Sequence, residues 1–279
     1  MTSPDAFNED LVWQARRALA LGRELCSCAG HHHWSYAVLR AAGITSSVGA
    51  EEPLLASLMA PLIGERARVM IGGSADLGLL CFVGRCAAGR HPRITVIDRC
   101  RAPLALIEEF TASRNIECRT LLADLLALDG RELWDAILLH HTSEFFDARS
   151  RVRFFEAMAA SLAPGGSLIC VTMTGQKLGP KEQAELDAEF RDHSLKAFRR
   201  SPMALEEQAP EFERLIADYA KARAARRMGY PDDDELYDLF RRAQLHIISE
   251  HAMPLKWTFS KVDSTPELLR KFVIIAKGD

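Results

Sequence analysis

Arg66-Ala-Arg-Val-Met-Ile-Gly-Gly-Ser-Ala-Asp-Leu-Gly-Leu-Leu80, followed by Ile94-Thr-Val-Ile-Asp-Arg99, decides the fold. A short apolar run enters a glycine-rich turn, an apolar helical stretch follows, and a second apolar run ends on Asp98. Alternation of this kind builds a parallel sheet covered on both faces. Gly72, Gly73, Ser74 and Ala75 let the backbone approach a ligand closely, and glycine alone takes positive φ at little cost. An acid at the end of the next strand can accept two hydrogen bonds from a ribose diol. Turn and acid at this spacing point to a nucleoside ligand held by residues 72–76 and Asp98.

The pattern extends outward from this core. Strands are predicted over 69–71, 93–97, 116–121, 134–139 and 167–172, and again over 245–250 and 272–276. Residues 8–62 read as three helical runs, the first two closed by Gly30 and Gly43. The third opens on Glu51 and Glu52, where the helix dipole favours acids. Residues 180–227 form a charged helical stretch. Its Met203, Leu205, Phe212, Leu215, Ile216 and Tyr219 offer one apolar face, able to close a pocket over His140 or to form a homodimer. The expected architecture is an α/β fold with a doubly wound, mostly parallel seven-stranded sheet and an antiparallel last strand. Residues 1–62 would be an N-terminal helical cap, 63–279 the sheet domain, and 178–228 a helical lid inserted in it.

Of the 279 residues, 48% are apolar and 26% charged, and the formal net charge is −3. Such a balance offers no field for collecting nucleic acid. No apolar run approaches the roughly 20 residues of a membrane span. The polar, acidic start does not read as a secretory signal. Seven cysteines, mostly in predicted strands and helices, fit the reduced thiols of a cytoplasmic protein better than a disulfide framework.

In their order, these pieces resemble the class I S-adenosylmethionine-dependent methyltransferases over residues 60–279. Residues 71–78 sit where that family's first motif lies, and Asp98 matches its acid after the second strand. Ala123-Asp124-Leu125 resembles the acidic motif after the third strand, which in the family contacts adenine. Trp134-Asp-Ala-Ile-Leu-Leu-His-His141 resembles the fourth strand and the loop over the methyl donor. Leu162-Ala-Pro-Gly-Gly-Ser-Leu-Ile-Cys170 is similar to the family's fifth strand and the turn before it, and the last two strands fit its terminal hairpin. The resemblance implies S-adenosylmethionine as cofactor, with residues 72–76 at the amino acid end, Asp98 at the ribose, Asp124 and Leu125 at the adenine, and Arg99 as a further cofactor contact. It implies methylation of O, N or C on a small-molecule acceptor. No Asn-Pro-Pro-Tyr motif of base methylation follows the fourth strand.

Histidine titrates near neutrality, so His141, or His140 beside it, is the candidate general base, and His140 is also a candidate cofactor contact. One departure stands out: Ile71 occupies the place of the family's usual acid before the glycines. Asp76 either substitutes for it from across the turn or caps the next helix. Loss of that acid motivates a second reading, a degenerate cofactor-binding or scaffold protein. A nicotinamide-dependent oxidoreductase is a third, disfavoured because the third- and fourth-strand motifs fit it poorly.

The stretch Cys26-Ser-Cys28-Ala-Gly-His31-His32-His33-Trp34-Ser-Tyr36 gathers potential metal ligands in one turn. Its spacing matches no strong zinc pattern, so no metal is expected. Helices before the first strand often fold over the methyl donor in the resembling family, which assigns His31, His33, Trp34 and Tyr36 to the substrate.

Overall fold

The computed structural model describes residues 4–28, 32–87, 89–175, 179–226, 229–254 and 269–277. β1 (Arg68–Gly72) is buried from Val69 onward on both faces, as a central strand must be. It pairs in parallel with β2 (Arg93–Asp98) on one side and with β4 (Trp134–His140) on the other. β3 (Cys118–Leu122) extends the sheet beyond β2, and β5 (Leu162–Thr174) extends it beyond β4. β7 (Leu269–Lys277) lies antiparallel between β5 and the edge strand β6 (Leu245–Pro254). The order is β3-β2-β1-β4-β5-β7-β6, a seven-stranded doubly wound sheet with one antiparallel strand. Its direction of winding reverses between β1 and β4, and ligands of such sheets lie outside the carboxyl ends of the strands at that point.

Alternation along the strands divides two cores. Val69, Ile71, Ala136 and Leu138 face the larger core, shared with α4 (Gly78–Cys86) and α5 (Arg101–Arg114). Met70, Ile137 and Leu139 face a smaller one, shared with α6 (Ala148–Ser161) and α9 (Asp233–Arg242). The cap helices α1 (Leu11–Leu25), α2 (His32–Ala41) and α3 (Glu52–Met59) join the larger core through Ala15, Leu19, Val38, Leu39, Leu55 and Met59.

The insertion is two helices rather than one stretch, α7 (Pro180–Phe198) and α8 (Ala209–Arg226). Met203, Phe212, Leu215 and Ile216 are fully buried as expected, but Leu205 is 92% exposed and does not belong to the apolar face. Arg16 bonds Glu206, and Arg23 bonds Glu211, so the insertion and the cap form one layer. No helix among the described residues is long and apolar enough to cross a membrane.

Candidate active site

The glycine turn leaves β1 at the reversal point and is locked from three sides. Thr142, just past β4, donates its hydroxyl to the Gly72 carbonyl at 2.6 Å. Gly73 has φ +78, and a Cβ there would lie 2.9 Å from Thr142, so this position requires glycine twice over. Asp98 at the end of β2 accepts from the backbone N–H of Ser74 at 3.0 Å and of Cys100 at 2.7 Å. A carboxylate has about four lone-pair positions, so two remain for a diol.

Asp76 caps the next helix, one of the two roles the sequence allowed, and makes a further contact that it did not show. One oxygen accepts from the Gly78 N–H at 2.8 Å and caps the start of α4. The other accepts from Gln14 at 3.0 Å and Arg40 at 2.8 Å, tying cap to turn. Arg40 is also paired with Glu9 and is only 8% exposed. Burial pulls against its charge, but Asp76 and Glu9 outweigh that and hold the guanidinium protonated. Gln14 Oε1, Arg40 Nε and Ser47 Oγ are buried with no hydrogen-bond partner among the described residues. All three belong to the cap and meet the turn at Asp76 and Gly78, where a Cβ on Gly78 would lie 1.4 Å from Ser47 Oγ.

A cavity of about 420 Å³ opens beside the carboxyl ends of β2 and β3. Arg99, Cys100, Arg101 and Leu122 line it from the sheet side, and Leu25, Ser27 and Cys28 from the cap. Asp124 and Leu125, expected at the adenine, are not among its walls. Asp124 is exposed and accepts from the Leu126 N–H at 2.9 Å, capping a short helical turn. Leu125 packs in the smaller core beneath Gly72. Leu122, three residues earlier and 55% exposed, lines the cavity.

At the end of β4 the backbone of His141 is left-handed, with φ +57, a conformation rare outside glycine and enriched at functional sites. Its N–H donates to the Val171 carbonyl at 2.8 Å, and its Nδ1 lies 2.6 Å from Glu144 Oε1. The same oxygen accepts from Thr172 Oγ1 and the Met173 N–H at 3.1 and 3.0 Å. Glu144 is thus fixed on β5 and fixes the imidazole through Nδ1. The sequence reading missed Glu144; an acid three residues after a candidate base was the available signal.

His140 differs. Burial and the neighbouring His141 push its pKa well below the ordinary histidine value of 6.5. Its Nε2 has no hydrogen-bond partner among the described residues. A neutral imidazole of such low proton affinity is a poor base near pH 7, which leaves His141 as the candidate. The depressed value also fixes a pH effect. Below about pH 6.5 the unfolded chain takes up a proton that folded His140 refuses, so stability is full above that pH and falls as pH drops. The loss is at most about 1.4 kcal/mol per pH unit from this group. Urea midpoints of the parent and His140→Asn, compared at neutral and mildly acidic pH, should show a shallower acid loss in the variant; identical slopes would contradict the assignment.

The remaining residues assigned to the substrate separate. Trp34 is 5% exposed and packs on α1, where a Cβ on Gly22 would lie 2.4 Å from its ring. His33 turns toward Asp98 and Cys26 instead of an acceptor, with Nε2 3.8 Å from Asp98 Oδ1. Tyr36 donates to the Ser46 carbonyl at 2.9 Å, and burial raises its phenol pKa. His31 lies outside the described residues. His32, which the sequence reading passed over, stacks on Tyr219 of α8 at 5.7 Å and meets Tyr36 and Phe145 at 5.9 and 5.6 Å. Phe145 adjoins Glu144 and is 49% exposed, so this aromatic group from cap, insertion and β4 loop borders the His141 end of the site.

No protein-family model and no curated protein matches the chain. Solved structures do. The cyclopropane synthase MmaA2 from Mycobacterium tuberculosis matches with TM-score 0.54 and 13% identity, over 86% of this chain and 93% of that one. A methyltransferase from Burkholderia thailandensis, solved with 1,6-didemethyltoxoflavin and S-adenosylhomocysteine, matches with TM-score 0.50 and 15% identity, over 89% and 91%. A SAM-dependent methyltransferase from Methanosarcina mazei matches with TM-score 0.50 and 16% identity, over 79% and 97%. The fold of this chain is that of the class I S-adenosylmethionine-dependent methyltransferases.

Proposed function

We propose that the protein binds S-adenosylmethionine and transfers its methyl group to a small-molecule acceptor. The observation that carries this reading is Asp98, a buried carboxylate at the end of β2 that fixes the glycine turn and keeps two acceptor positions free. The orphaned Gln14 Oε1 and Arg40 Nε at the turn match the ammonium and carboxylate of an amino acid, an acceptor for the one and a donor for the other. They stand in for the acid that Ile71 replaces. The cavity bounded by Leu25, Arg99 and Leu122 suits a planar base.

When bound, the sulfonium supplies an already activated methyl group. The chain must then orient the acceptor and exclude water, and proximity accounts for most of the acceleration. His141 Nε2 takes the proton of an acceptor hydroxyl or amine, while Glu144 holds the ring in place through Nδ1. The aromatic group of His32, Tyr36, Phe145 and Tyr219 offers ring faces to an apolar or aromatic acceptor. Two structural neighbours act in this substrate range, one solved with 1,6-didemethyltoxoflavin and one with geranyl diphosphate. Incubating the protein with methyl-labelled S-adenosylmethionine and a low-molecular-weight cell extract should move label into a small product. Cofactor binding without transfer to any fraction would favour the scaffold reading instead.

A further inference from the structure

We propose that Cys26, Cys28, His33 and Cys100 form a tetrahedral zinc site that fastens the cap to the turn between β2 and α5, directly behind Asp98. Cys26 ends α1, His33 lies in the first turn of α2, and Cys100 immediately precedes α5. Three sulfurs and one imidazole nitrogen from these separate elements all lie within 4.8 Å of one another. Cys26 Sγ and His33 Nδ1 are 3.6 Å apart. With Zn–S near 2.3 Å and Zn–N near 2.0–2.1 Å, a tetrahedral centre separates S and N by about 3.6 Å.

Soft thiolates with one imidazole select zinc over calcium or magnesium. Four protein ligands leave no open position, so the site is structural rather than hydrolytic. The outer groups fit too. A ligating histidine turns its other nitrogen toward a carboxylate or carbonyl, and His33 Nε2 faces Asp98 Oδ1 at 3.8 Å. Asp98 also accepts from the Cys100 N–H, so one carboxylate stands behind two ligands. Zinc with three thiolates carries one net negative charge, and Arg99 and Arg101, which flank Cys100, line the same cavity as Cys28. The sequence suggested no zinc because Cys100 comes from far along the chain, beyond the glycine turn. The metal would hold Leu25, Ser27 and Cys28 as the cap-side wall of the cavity, independently of which ligand that cavity takes.

Metal analysis of the full chain, purified under reducing conditions without chelator or affinity tag, tests this directly. One zinc per chain is expected, replaceable by cobalt with the visible bands of tetrahedral geometry and near-ultraviolet thiolate charge transfer. Cys100→Ser and His33→Gln should each lower zinc affinity by at least about tenfold, while Cys118→Ser, outside the cluster, retains full occupancy. Native thiol titration should find Cys26 and Cys28 protected until a chelator is added. A folded, reduced protein that neither contains nor takes up zinc or cobalt overturns the proposal. So would a disulfide among the three cysteines in freshly isolated protein, stoichiometric iron in place of zinc, or full zinc retention in Cys100→Ser. None of these readings depends on S-adenosylmethionine.

Discussion

Arg40→Met should destabilise the protein by about 3–5 kcal/mol, the usual cost of removing one partner from a buried charge network. The side chain is 8% exposed and bonds Glu9 and Asp76, whose side chains are 11% and 3% exposed. Methionine fills the volume but leaves two carboxylates facing each other out of water, with Gln14 as the remaining side-chain donor on Asp76. Desolvation makes an unpaired charge expensive, so the loss should exceed that of any surface ion pair here, such as Arg101–Glu108, worth about 0–1 kcal/mol. Urea denaturation measures it. Adding Glu9→Gln and Asp76→Asn to Arg40→Met should recover part of the loss, because neutral amides remove the stranded charges. A single-variant loss below about 1 kcal/mol would show that the network does not hold the cap on the turn.

His141→Gln should lower kcat by about 10²–10⁴ for an acceptor that arrives protonated, the range general-base catalysis contributes. Glutamine keeps a polar group of similar reach, so binding should change little. Glu144→Gln should lower kcat less, because the imidazole keeps its place in the chain but loses the carboxylate that holds its ring. This split separates the group that takes the proton from the group that positions it. Equal KM and kcat effects in both variants, or none, would remove His141 from the chemistry. His140→Gln should leave kcat within a few-fold, since burial keeps that ring neutral throughout the working range.

The sheet was legible because its signals are local. Short apolar runs in 68–72 and 134–140, the glycine turn and Asp98 each report a backbone preference or a pattern of burial within a few residues. Limits of the first four strands shifted by a residue or two and those of the last three by up to five; β5 begins at Leu162 rather than 167, because the Pro-Gly-Gly turn is already paired through Leu162 to Trp134. The site was legible only in part. Asp98, Arg99 and His141 drew attention because each ends, or immediately follows, a strand at the carboxyl edge of the sheet. The burial of Leu125 was not legible, because an Asp-Leu pair after a strand does not say which neighbouring leucine packs in the core. Trp34 and His33 sit one residue apart on α2 and point to different neighbours, one to Gly22 and the other to Asp98. Helical phase could have separated them, but the identity of those neighbours depends on how the cap docks. The Asp76–Arg40–Glu9 network and the meeting of Cys100 with Cys26 and Cys28 are pure tertiary contacts, and no spacing along the chain announces them.

Calorimetric titration of the full chain with S-adenosylmethionine and with S-adenosylhomocysteine, beside Asp98→Ala, tests the central claim most directly. Both ligands should bind in the micromolar range, and the variant should weaken them tenfold or more, about 1.4 kcal/mol or greater. Well-folded protein that binds neither ligand, or binds both equally tightly after Asp98→Ala, would contradict the assignment of this site to S-adenosylmethionine.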